Sequence, residues 1–181
     1  MGKTSKKLIR DARRGQEKAF LRLFDEHHLP LFRFAWRLSG SIADAEDIVQ
    51  ECFLALLNPN CGFDPARTAL RTYLFGVVRN QWLKRLRRRE QRESAESRNC
   101  GTPETEAYRG EAAEAVASAI ADLPDTQREI LLLAHYEQLS LVEIAEITQL
   151  EITAVKSRLQ RARATLRETL AAYAPRIERV I

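Results

Sequence analysis

The sequence predicts an all-α protein made of two small helical domains joined by a flexible linker. Three observations predict it. Glycine and proline fall mainly between segments of helical periodicity, at Gly15, Pro30, Gly40, Pro59, Gly62, Pro65, Gly101, Pro103, Gly110 and Pro124. No convincing run of alternating, β-branched residues marks a strand. A stretch of mixed charge with almost no apolar anchors, QRESAESRNCGTPETEAYRG, interrupts the helical pattern and has the composition of a tether. The expected layout is a first domain over 1–92, a linker over 93–110, a second domain over 111–175 and a tail over 176–181.

The first domain reads as four helices. The first runs from about Glu17 to His28, anchored by Phe20, Leu21, Leu23 and Phe24. A second starts near Pro30, a residue suited to a first helical turn, and carries Leu31, Phe32, Phe34, Ala35, Trp36 and Leu38. A third follows the N-cap candidate Ser41 and continues to about Leu57. The fourth is long, from about Ala66 to beyond Arg89. In the second domain, the Ala-rich segment from Glu111 precedes a helix opened by Pro124 and Asp125.

Residues 139–170 then read as a short helix, a tight turn and a longer basic helix, the layout of a helix-turn-helix. Ser140 and Glu143 have the spacing of a capping box, so a helix begins at Leu141. The second helix resumes near Ile152 with an apolar stripe at Val155, Leu159, Ala162, Leu166 and Leu170. Its other face offers Thr153, Ser157, Arg158, Gln160, Arg161 and Ala164, flanked by Lys156 and Arg163. Arginine and glutamine there can reach base edges and phosphates of a duplex.

Two faces of the first domain carry further information. On the long fourth helix, Leu70, Leu74, Val77, Val78 and Trp82 form the core side, while Tyr73, Gly76, Asn80, Lys84 and Arg87 form a separate stripe. From Arg79 to Arg92 there are seven basic residues against one acid. An aromatic ring can stack on an unpaired base and the cations can hold phosphates of a single strand. The plain alternative is a solvated helix end whose arginines pair with glutamates of the same helix. The third helix has the opposite character. Asp44, Asp47 and Glu51 share one face, and Ile48, Cys52 and Leu56, with Phe53 near them, form another. Acids in the first turn suit the helix dipole. Glu51 lies too far along for that account, and an acidic face suits a basic protein surface.

Composition excludes several classes. The net charge is +4, so the placement of charge matters more than its sum. No apolar run is long enough to span a bilayer, and the basic start MGKTSKKLIR is not followed by a signal-peptide core, which predicts a cytoplasmic protein. Cys52, Cys61 and Cys100 are odd in number and lack CxxC spacing, so neither a disulfide framework nor a zinc site is expected. Cys52 is expected in a buried helical position, and Cys100 in the polar linker. His27, His28 and His135 suggest no metal cluster. No nucleophile–base set or phosphate loop indicates an enzyme, and no catalytic residue, cofactor or metal is expected.

DAEDIVQECFLALL, RTYLFGVVRNQWLKRLRRR, the polar linker, LPDTQREILLLAHYEQLSLVEIAEI and VKSRLQRARATLRE occur in an order and at separations that resemble a bacterial sigma factor of the extracytoplasmic-function group. The resemblance covers nearly the whole chain from about Ala19 to Leu170. It implies that the two domains are sigma regions two and four, and that the protein binds core RNA polymerase, directs it to promoters and helps open the duplex without catalysis of its own. By this resemblance, Asp47, Gln50 and Glu51, with Ile48 and Phe53 supporting, dock on the polymerase clamp helices. Arg71, Tyr73, Asn80 and Lys84, extended by Arg87 of the same stripe, act at the minus-ten element, with the loop 63–68 as a pocket for a flipped base. Lys156, Ser157, Gln160 and Arg161, with Arg158 on phosphate, read the minus-thirty-five element. The linker threads toward the RNA exit path, and an anti-sigma factor is an implied partner. A stand-alone helix-turn-helix regulator and a sigma-like decoy that sequesters an anti-sigma factor are the alternatives. The chain departs from the family pattern at Gln149, where glycine is usual in the turn, and at Glu151, Thr153 and Ala154, where the recognition helix opens.

Overall fold

In the computed structural model, residues 2–93 and 111–171 are described, with side chains over 5–89 and 113–171. Residues 94–110 of the expected linker, including Cys100, and the tail 176–181 lie outside the described residues. Among the described residues the elements are α1 (Gly2–Arg13), α2 (Glu17–Ser39), α3 (Ile42–Leu57), α4 (Leu70–Glu93), α5 (Glu111–Ala121), α6 (Asp125–His135), α7 (Leu141–Thr148) and α8 (Ile152–Thr169). They form two compact units, built mainly on α1–α4 and on α5–α8.

The first unit packs α2, α3 and α4 mutually, with α1 against α2 and α3. Helix α1 was not legible in the sequence, because it offers little apolar surface beyond Leu8, Ile9 and Ala12. Ile9 and Ala12 are nonetheless buried. Arg13, its last residue, turns its guanidinium onto the end of α3, donating Nε and Nη2 to the Leu56 carbonyl at 3.2 and 2.8 Å. A helix leaves its last carbonyls without intrahelical partners, and Arg13 satisfies one of them from a distant part of the chain. Gly15, at φ +80°, then adopts the left-handed turn that separates α1 from α2.

The two helices expected around Pro30 are one. A proline inside a helix removes a hydrogen bond and costs ~3 kcal/mol. Here the buried row Leu23, His27, Leu31, Phe34, Ala35 and Leu38 runs through the proline on both sides and keeps the helix continuous. Its end is set by Gly40, at φ 69°, whose N–H donates to the Trp36 carbonyl at 2.8 Å. The expected N-cap Ser41 starts α3, its hydroxyl accepting from the Asp44 N–H at 3.2 Å.

Helix α4 begins at Leu70, four residues later than the periodicity suggested. Asp64 organises the preceding loop: Oδ1 accepts the Ala66 N–H at 2.9 Å, and its carbonyl accepts the N–H groups of Arg67 and Thr68. At its other end α4 continues through Glu93, taking in residues expected to open the linker. Its inner face is Leu70, Leu74, Phe75, Val78 and Trp82. Phe75, absent from the expected core, meets Phe34 edge-on at 5.3 Å, while Val77 is only half-buried.

In the second unit α8 packs along α6 and against α5. The capping box at α7 is present in full. Ser140 Oγ accepts from the Glu143 N–H at 3.3 Å, and the Ser140 N–H donates to Glu143 Oε2 at 2.9 Å. The turn after α7 is left-handed at Gln149, with φ 58° and ψ 37°. A side chain at this position carries a steric cost that glycine would avoid. Ile144, Val155, Leu159 and Ala162 are buried and orient α8.

Candidate nucleic-acid and polymerase interfaces

The acidic row of α3 does not stand open. Arg85 of α4 lies over it, with Nη2 at 2.9 Å from Glu51 Oε1 and 3.8 Å from Asp47 Oδ2, while Nη1 donates to the Asp44 carbonyl at 3.1 Å. Arg89 pairs with the Asp44 carboxylate. Arg85 and Arg89 therefore pair across to α3. These are half-exposed pairs, worth ~0.2–1 kcal/mol each. Their larger effect is to neutralise much of the acidic face expected to meet a partner.

Ile48, expected among the polymerase-contacting residues, is a core residue with 0% exposure. It lies in the row with Ala45, Cys52 and Leu56 that α3 turns inward, so it supports the surface only by packing. Phe53 is also buried, at 4%. It forms the floor of a groove of about 350 Å³ between α2 and α3, lined by Phe20, Phe24, His28, Gln50 and Leu54 among others. Helical spacing explains the groove's aromatic wall. Phe20, Phe24, His28 and Phe32 recur every four residues along α2, with the Phe24 and His28 rings stacked at 4.3 Å. Phe53 of α3 closes on Phe24 at 5.2 Å and on Phe20 at 6.1 Å. Leu54 is 61% exposed on the rim. Asp47 and Glu51 thus lie on the α4 side of α3, whereas Gln50 opens onto the aromatic groove.

The residues expected at the minus-ten element occupy two settings. Asn80, Lys84 and Arg87 are exposed and, with Leu83 and Arg88, line a shallow depression of about 390 Å³. Tyr73 and Arg71 are half-buried. The Tyr73 ring packs on Phe63 at 5.2 Å, which brings the start of the loop 63–68 against α4. Burial first, then the Cys61 thiol beside it, pushes the Tyr73 hydroxyl up to about 12. Cys61 in turn accepts from Arg13 Nη2 at 2.7 Å. The Arg71 guanidinium lies 5.3 Å from the centre of the Phe75 ring. Buried Cys52 has its thiol pushed up to about 12 by desolvation and hydrogen-bonds the Leu74 carbonyl, so it is an inert part of the core.

On α8, Lys156, Ser157, Gln160 and Arg161 are exposed and Arg158 is half-buried. The Ser157 hydroxyl donates to the Thr153 carbonyl at 2.9 Å, leaving its oxygen as an acceptor. Among the described residues, none of the cations Lys156, Arg158, Arg161, Arg163 and Arg167 has a carboxylate partner. Glu151 is the N-cap of α8 by backbone position, without a side-chain cap bond, so its carboxylate remains at the opening of the helix. Among the described residues no group of three or more His, Cys, Asp or Glu is arranged to hold a metal, and no helix is long and apolar enough to cross a membrane.

A capped helix-turn-helix with an unpaired cationic face defines a DNA-binding protein of the helix-turn-helix class. Family comparison narrows this. Residues 23–92 match the family model for Sigma-70 region 2, and residues 113–166 match that for Sigma-70, region 4. The chain belongs to the sigma-70 family of RNA polymerase sigma factors, in its extracytoplasmic-function group, and is a transcription initiation factor. It is 38% identical over 168 residues to the extracytoplasmic-function sigma factor SigL of Mycobacterium tuberculosis strain H37Rv, covering 85% of this chain and 90% of that protein. It is 28% identical over 180 residues to SigW of Bacillus subtilis strain 168, covering 91% and 96%. Among solved structures, it is similar to the sigma factor RpoE of Bartonella quintana in complex with the anti-sigma factor NepR, with a TM-score of 0.74, 25% identity, and coverage of 85% and 98%.

Proposed function

We propose that this chain binds core RNA polymerase in the cytoplasm through the α2–α3 face and reads promoter DNA as two separate elements, without catalysing a reaction itself. The domain assignment follows the expected layout: 1–92 docks on polymerase and handles the minus-ten element, and 111–175 reads the minus-thirty-five element. The observation that carries the polymerase assignment is the aromatic groove beneath Gln50 and Leu54. An apolar floor edged by the polar side chains of His28, Glu46 and Gln50, with Leu54 exposed beside them, suits a protein interface. In this reading Gln50 and Leu54 make direct contact and Phe53 shapes the floor. Asp47 and Glu51 contribute charge at the edge, moderated by Arg85.

Asn80, Lys84 and Arg87 hold the displaced strand along the outer stripe of α4, and Arg71 and Tyr73 border it. Lys156, Gln160 and Arg161 enter the major groove, Ser157 accepts from a base or from water, and Arg158 contacts phosphate. The likeness to a sigma factor solved with an anti-sigma partner supports an anti-sigma protein as a third partner here. Reconstitution with purified core polymerase and a genomic promoter library tests the reading. Promoter-dependent transcripts that require this chain are expected. Their absence, together with tight operator binding by the chain alone, favours a stand-alone regulator.

A further inference from the structure

The flank of α8 holds a polar pair that base reading leaves unused. Arg163 donates its Nε–H to Nε2 of His135, the last residue of α6, at 3.2 Å. Lys156, Gln160, Arg163 and Arg167 recur at i, i+4, i+7 and i+11, so they share one flank of the helix, beside the buried row Val155, Leu159 and Ala162. Both His135 and Arg163 are exposed. The bond to His135 occupies Arg163 Nε, and among the described residues the two Nη groups have no partner. The bond leaves the Nη fork of the guanidinium open, the geometry that suits a phosphate.

His135 accepts in this pair, so Nε2 carries no proton and the ring is neutral. Burial first, and then the Arg163 charge, hold its pKa below the ordinary histidine value. Arg163 is the charged group of α8 that bears on it, and among the described residues no carboxylate does. An anionic oxygen arriving at the pair reverses this balance. It accepts from the Arg163 guanidinium, and the Arg163 Nε–H···Nε2 bond breaks as Nε2 takes a proton from solution, so that the new imidazolium Nε2–H donates to the same oxygen.

We propose that His135 and Arg163 form a phosphodiester clamp on the flank of α8, and that DNA binding at the clamp takes up one proton from solution. The proposal rests on the reading that α8 enters the major groove, and adds a backbone contact coupled to pH. The sign follows from linkage. The bound chain holds more protons than the unbound chain between the two histidine pKa values, so affinity rises as pH falls through that window.

The test uses the full-length chain and a short mixed-sequence DNA duplex at low salt, with affinity followed by fluorescence anisotropy from about pH 8 to about pH 5.5. The wild-type chain gains affinity on acidification, by up to about tenfold per pH unit for one linked proton. His135→Gln can still accept from Arg163 and retains the affinity seen at high pH, but loses the acid gain. Arg163→Ala lowers the salt slope by about one phosphate contact and also flattens the pH profile. A His135→Gln profile that parallels the wild type overturns the clamp, as does an unchanged salt slope in Arg163→Ala. Lys156→Ala and Arg161→Ala separate the two levels. If both leave duplex binding unchanged, the placement of α8 on DNA fails; if they weaken it while His135→Gln tracks the wild type, only the clamp fails.

Discussion

Helices α4 and α8 are both long, basic and amphipathic, yet their cations are used differently. In α4, Arg85 and Arg89 are spent on the carboxylates of α3, while Asn80, Lys84, Arg87 and Arg88 line an open depression. On α8 no described cation has a carboxylate partner. The difference originates in what packs alongside. Helix α4 lies against α3, whose sequence DAEDIVQE presents acids every third or fourth residue. Helix α8 lies against α5 and α6, and Arg163 on its flank donates to His135, the last residue of α6, not to a carboxylate. Basic composition alone thus does not mark a nucleic-acid surface, because the neighbouring helix decides which cations remain available.

The largest test of this contrast is in the core that aligns α4 with α3. Leu74→Ala empties a fully buried site beside Cys52 and is expected to cost ~2–5 kcal/mol. Chemical denaturation should show the loss in the first domain, with the transition of the second domain unmoved. Next in size is Arg161→Ala on α8. It is expected to weaken minus-thirty-five recognition by ~1–3 kcal/mol if the guanidinium is bidentate to a base, with no change in folding stability. Competition binding between cognate and mutated duplexes measures it, and unchanged selectivity removes Arg161 from base reading. Ser140→Ala removes one half of the α7 capping box and is expected to destabilise the helix-turn-helix by ~1 kcal/mol, read as a lower melting temperature of the second domain. The smallest effect is expected at Arg85→Ala. Its pairs with Glu51 and Asp47 are partly solvated, so the stability loss should stay below ~1 kcal/mol.

The helices with regular periodicity and recognisable caps were legible before the structure. Ser41, the Ser140–Glu143 box and the apolar stripe of α8 are local signals, and each element they mark formed as expected. The failures have long-range causes. Helix α1 is held by α2 and α3, and Arg13 finds its partner 43 residues away. The break expected at Pro30 is absent because burial on both sides outweighs the local penalty. The acidic face of α3 looked available because pairing with Arg85 and Arg89 depends on how α3 and α4 are packed, which spacing within either helix does not reveal. The aromatic groove had a readable clue in the four-residue recurrence of Phe20, Phe24, His28 and Phe32. Its floor, Phe53, comes from another helix. Gln149 shows a local rule overridden, since it adopts the left-handed turn that glycine usually serves.

The central claim is that open cations on α4 act on DNA while paired ones neutralise the acidic face of α3, and strand opening by reconstituted holoenzyme tests it most directly. A fluorescent base analogue in the minus-ten region of a promoter found by the library screen reports the opening. With Lys84→Ala and Arg87→Ala combined, opening should fall sharply while polymerase binding and folding persist. With Arg85→Ala, opening should remain close to the wild type. An Arg85→Ala chain that stays folded and polymerase-bound but opens DNA as poorly as the double variant would contradict the account.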